Sequence, residues 1–131
     1  MYTVADYGTF PIWHSECQLE MMNLHTGEIV NMDVVNSDRS DTYHSWSSDS
    51  RWFVFASKRG DGKYGRPYFS HVDENGRVTK PFVLPQEDPW LYEDCLRSFN
   101  IPDLSNGPVN FDAESIGQMV REVEAARFAV K

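Results

Sequence analysis

Nowhere does this chain contain a run of about 18 apolar residues, the length a helix needs to cross a bilayer, and its first residues lack the charged-then-apolar pattern of a secretory leader. Positive charge is scarce. Twelve Lys and Arg stand against 20 Asp and Glu, a net charge of −8 with no basic cluster to offset it, so nucleic acid and anionic membrane surfaces would be repelled. Cysteine is scarcer still: Cys17 and Cys95 are the only two, too few for a disulfide framework or a zinc ribbon. The expectation is two unpaired thiols, with one Cys17–Cys95 disulfide as the alternative. The pentapeptide Gly-x-Ser-x-Gly is also missing, and with it the nucleophile elbow of a serine hydrolase; the Ser, His and Asp residues of 44–49 lie too close in sequence to make a triad. The segment "RGDGKYG" lacks the repeated Asp/Asn ligands of a calcium loop. His14, Glu16, Cys17 and His44 include donors that zinc accepts, but successive strand residues point to opposite faces, so no metal and no other cofactor is expected.

What is present reads as short strands. A chain of 131 residues is about one domain, and its aromatic content of 14% lies mainly in short runs flanked by Gly, Asp, Asn and Pro, which favours β-structure. "MYTVADYGTF" places Tyr2 and Val4 on one face of a strand that ends near Gly8. "CQLEMMNL" followed by "HTGEIVNMDVV" is a hairpin turning at Thr26-Gly27. "RWFVFAS" reads as a strand buried on both faces. "RPYFSHVDENGRVTKPFVL" is a second hairpin, with Asn75-Gly76 supplying positive φ. Two hairpins about fifty residues apart amount to an internal repeat.

After Pro85 the character changes. "EDPWLYEDCLRSFNIP" sets Trp90, Leu91, Cys95, Leu96 and Phe99 at helical spacing, with Asp88 as cap, Pro89 at the first position and Pro102 beyond the end. The linker "IPDLSNGPVN" leads to a second, amphipathic helix capped by Asp112, with Ile116, Met119, Val120, Val123 and Phe128 on its apolar side.

"SWSSDSRWFVFASKRGDG" resembles the repeat of TolB-like β-propellers, whose unit reads Trp-Ser-Pro-Asp-Gly, an apolar strand, Ser-x-Arg, a Gly/Asp turn and a Tyr-bearing strand. The match falls on Trp46, Ser47, Asp49, Trp52 to Phe55, Ser57, Arg59, Gly60, Asp61 and Tyr68, with Ser48 and Ser50 where the pattern has Pro and Gly. "LEMMNLHTGE" stands in the place of the preceding blade's Leu-Tyr-x-x-Asp-x-x-Thr-Gly-Glu hairpin. The chain is similar, over residues 36–102 above all, to the last blade of such proteins from Bacteroidetes, whose blade also leads through Pro-Gln-x-x-Pro to a short helix ending near Asn-Ile-Pro.

The resemblance implies a mainly β fold: a partial β-propeller of about two four-stranded antiparallel blades, the first incomplete, with C-terminal α-helices. Its divisions are an incomplete blade over 1–35, a complete blade over 36–87 and a helical extension over 88–131. Met1 then falls in mid-blade, so the chain is expected to be a piece of a longer protein. The implied function is a non-enzymatic module in a periplasmic or cell-envelope protein, binding a protein partner or other blades. The alternative is a propeller segment that gates a peptidase whose catalytic domain lies elsewhere. Within that reading the motif serines are turn formers, and Trp46 and Trp52 are expected in the core.

Trp and Tyr gather near turns in "IWHSE", "GKYGRPYF" and "PWLYED". Trp13, His14, His44, Tyr64, Arg66, Trp90 and Tyr92 are therefore the candidate partner-binding residues. An open strand edge near residues 2–6 and the apolar side of the last helix must also be covered, so that helix is expected to pack over the sheet or to mediate self-association.

Overall fold

The computed structural model describes residues 1–122; Val123 and Phe128 of the last helix lie outside them. The fold is mainly β, two antiparallel sheets with few helices. β1 (Tyr2–Val4), β2 (Gln18–Met22) and β3 (Ile29–Val30) form a three-stranded sheet in that order. β4 (Asp41–Trp46), β5 (Trp52–Ser57), β6 (Arg66–His71) and β7 (Phe82–Val83) form a four-stranded meander, and neither sheet closes on itself. No helix among the described residues is long and apolar enough to cross a membrane.

Turn chemistry explains where the strands reverse. Between β2 and β3 the Asn23 side chain accepts the His25 amide at 2.9 Å, and Gly27 takes φ 74°, which only a residue without Cβ adopts freely. β3 is two residues long, and the Asn36 carboxamide extends the pairing by bonding both the amide and the carbonyl of Leu19 at 2.9 Å. Between β6 and β7 the Asp73 carboxylate accepts the amides of Asn75 and Arg77 at 2.8 Å, and the positive φ falls on Gly76 alone, not on Asn75.

The turn from β4 to β5 is built by the serine-rich motif. Ser47 Oγ accepts the Trp52 amide at 2.9 Å and donates to Asp49 at 2.5 Å, while Asp49 accepts the Arg51 amide at 3.0 Å. Ser50 stands at φ 56°, a left-handed conformation that costs an L-residue energy. Replacing Ser50 by Gly relieves that strain at some entropic cost, and it should raise stability by about 0.5–1 kcal/mol in urea denaturation. No change, or a loss, would mean that the Ser50 side chain is not strained there.

The core lies between the sheets. Leu19, Met21, Met32 and Val35 from the first unit meet Phe53, Phe55 and Val72 from the second, with Trp46 and Tyr68 packed alongside. β5 is buried on both faces from Phe53 to Ser57, as its sequence predicts. Period-two alternation then decides the fate of each ring. Trp46 pairs across from Phe53 on the core side, whereas Trp52 pairs with His71 on the outer side and is 39% exposed. The expectation of a buried Trp52 is thus corrected: one residue of register sends it away from the first sheet.

The helix expected over 88–99 is a single turn, α1 (Leu91–Asp94). Asp88 does receive the Trp90 amide at 3.0 Å. Beyond Asp94 the chain becomes extended at Cys95, because the buried Arg66 guanidinium takes the carbonyls of Tyr92, Cys95 and Arg97 that a continuing helix would use. α2 (Ala113–Glu122) is capped by Asp112, which accepts the Ser115 amide at 2.8 Å. Ile116, Met119 and Val120 remain exposed, so over its described residues this helix does not pack its apolar side onto the sheets. Ile101, Val109 and Phe111 in the segment that precedes it are exposed as well.

Candidate functional site

Arg66 organises the first candidate site. It is the first residue of β6, is buried, and donates 2.6 Å and 2.8 Å hydrogen bonds to the carbonyls of Arg97 and Cys95. The same guanidinium lies 5.4 Å from the Tyr64 ring centroid and 5.5 Å from that of Tyr92. Tyr92 donates its hydroxyl to Leu84 O at 3.0 Å and accepts from Gln86 at 3.0 Å, and burial pushes its pKa up. Gly60, Asp61, Tyr68, Val83 and Glu93 complete an open pocket of about 460 Å³ with these groups. Burial opposes ionisation of Asp61, but the amides of Tyr64 and Lys63 and the nearby Arg66 outweigh it and lower the pKa.

Beneath this pocket runs an ionic network. Arg59 Nη2 bonds the fully buried Asp41 carboxylate at 2.9 Å and Val35 O at 2.6 Å, its Nε bonds Ser57 Oγ at 2.8 Å, and its guanidinium lies 4.5 Å from the Tyr68 centroid. Val35 belongs to the segment after β3, so this one side chain ties the two sheets together. Ser57 and Arg59 are the Ser-x-Arg of the repeat-like motif, and their work here is structural.

The second candidate is the outer face of the four-stranded sheet. Trp52 contacts His71 at 4.8 Å between centroids and Phe82 at 6.3 Å, and Phe82 stacks on Phe69 at 5.9 Å. Phe82 is 46% exposed. Residues 99–103 fold back over the neighbouring part of this face, where Ser45 bonds Asp103 and an open groove of about 280 Å³ lies between Phe69, Leu84 and Ile101. An aromatic cluster left half in water on one sheet face is the kind of surface that binds a partner.

No family model, curated protein or solved structure matches the chain.

Arg66 and Tyr92 line the pocket, and the Tyr64 ring lies against the Arg66 guanidinium. Trp13 and His14 sit instead on the loop between β1 and β2, Trp13 largely exposed and His14 buried between Glu16 and Thr9. Trp90 is exposed at the head of α1. His44 lies in β4 beside a bulge where Tyr43 takes φ 50°; its Nδ1 is buried without a partner among the described residues, and burial lowers its pKa. No three His, Cys, Asp or Glu side chains converge as a metal site among the described residues. Cys17 and Cys95 are unpaired, the former buried. Neither the outer aromatic face nor the buried Asp41 is evident from the sequence. Alternation in "RWFVFAS" marked a two-faced strand without saying which face met the other sheet, and "SDRSD" carries no sign that its last carboxylate is buried.

Proposed function

We propose that the chain is a non-enzymatic interaction module of β-propeller type, two successive blades of a larger assembly, docking a protein partner or a further blade on the outer face around Trp52, Phe69 and Phe82. The observation that carries this reading is the repetition. β1–β2–β3 and β5–β6–β7 are antiparallel meanders of the same order that share one core, and each still shows apolar side chains away from it: Tyr2, Val4, Met22 and Ile29 on one, Trp52 and Phe82 on the other. Sheets repeated in that way, each using its neighbour to bury a face, are how propellers are built. The similarity of Trp46 to Tyr68 to the TolB-like repeat supports the same reading and is the ground for proposing a periplasmic or cell-envelope location.

A photo-crosslinking residue in place of Phe82, in cells that make the protein, tests this. A discrete protein adduct that disappears when Trp52 is also changed to Glu is expected. Adducts that are absent, or indifferent to Trp52→Glu, would remove this face as the docking surface.

A further inference from the structure

The loop between β1 and β2 displays three large rings, Tyr7, Phe10 and Trp13, at 73%, 69% and 85% exposure. Rings so far in water gain little from burial, so the loop backbone has to position them. That backbone is unusual. Phe10 takes a left-handed φ of 59°, Gly8 takes φ 70°, and the 3-10 turn Pro11–Trp13 closes through Trp13 N to Phe10 O at 3.0 Å. Two side chains fasten it. Lys58, just after β5, donates from Nζ to Ile12 O at 2.7 Å, and His14 lies under the loop, 7% exposed, with Tyr7 edge-on at 4.7 Å.

His14 Nδ1 is 2.7 Å from Glu16 Oε1, and Nε2 is 3.1 Å from Thr9 O. Both facing atoms are acceptors: a carbonyl cannot donate, and neither can an ionised carboxylate. A neutral imidazole carries one N–H and can satisfy one of them, leaving a lone pair against the other oxygen. The imidazolium satisfies both. We propose that His14 is a pH-operated latch that, as the imidazolium, clamps loop 6–16 with Tyr7, Phe10 and Trp13 displayed, and that releases the loop when it loses its proton.

The surrounding charges favour the clamped state. The hydrogen bond to Glu16 raises the His14 pKa, burial opposes this, and the Thr9 carbonyl and the Glu16 and Asp6 charges raise it further. Glu16 is correspondingly lowered by its bond to His14. The groups facing this corner are the Asp6 and Glu16 carboxylates, the Lys58 ammonium and the Cys17 thiol, whose pKa burial raises. Because the folded pKa is raised, the contribution of the latch is complete below the ordinary histidine value of about 6.5 and is lost as pH rises through the folded value. The consequence is an aromatic surface whose presentation depends on pH.

NMR titration of the intact chain from about pH 5 to 9 tests this across the histidine range. The His14 ring signal should titrate above the ordinary value, and the amides of residues 6–16 should move with the same midpoint. Glu16→Gln should lower both midpoints together, and His14→Gln should abolish the loop transition while leaving the signals of β4–β7 in place. A His14 midpoint at or below the ordinary value, or loop amides that ignore it, would overturn the proposal; the wild-type titration decides this even if a variant fails to fold.

Discussion

Arg59→Met is expected to cost about 3–5 kcal/mol of folding stability, the penalty for stranding a buried charge. Asp41 is fully buried, and without the guanidinium its carboxylate keeps, among the described residues, only the amide of Ser37 at 2.7 Å and the Ser37 hydroxyl at 2.8 Å. Val35 O loses its 2.6 Å donor at the same time, and the Tyr68 and Phe55 rings lose the cation lying over them. Methionine restores volume but none of these bonds. Adding Asp41→Asn should return part of the loss, because a buried amide costs less than a buried unpaired carboxylate. Urea denaturation of the two variants measures both numbers. A loss below about 1 kcal/mol for Arg59→Met would put the pair in the class of surface ion pairs and the sheets would need another tie.

Neighbouring aromatics on β5 should differ sharply. Phe53→Ala removes a ring with no solvent exposure from between the sheets and is expected to cost about 3–5 kcal/mol. Trp52→Ala removes a larger ring from the outer face, where water already reaches it, and should cost about 1 kcal/mol, mainly through its contacts with His71 and Phe82. The same denaturation series checks the order. Equal losses would mean that Trp52 is packed as deeply as Phe53.

That contrast also marks how far the sequence could be read. The hairpins at Thr26-Gly27 and Asp73–Gly76 were legible because local chemistry alone makes them: an Asx side chain over amides and a glycine at positive φ. The buried run of β5 and the Asp112 cap were legible for the same reason. The sidedness of Trp52 was not, since alternation defines two faces and only the packing of β2 and of the segment after β3 chooses between them. The length of α1 was hidden as well. Trp90, Leu91, Cys95 and Leu96 keep helical spacing, yet a single Arg66, about thirty residues earlier, captures the carbonyls and ends the helix after one turn. Of the candidate partner-binding residues, Tyr64 and Tyr92 meet around Arg66 because they bracket that capture. His14 was visible as a histidine beside a glutamate, but its second acceptor, Thr9 O, is set by the left-handed turn at Phe10.

Hydroxyl-radical footprinting of the chain, at a concentration where it sediments as a monomer, measures side-chain exposure along β5 and β7 directly. Modification of Trp52 and Phe82 together with protection of Phe53 and Phe55 is expected. Protection of Trp52 and Phe82 to the same degree as Phe53 and Phe55 would contradict it, because the sheet would then have no open face to offer a partner.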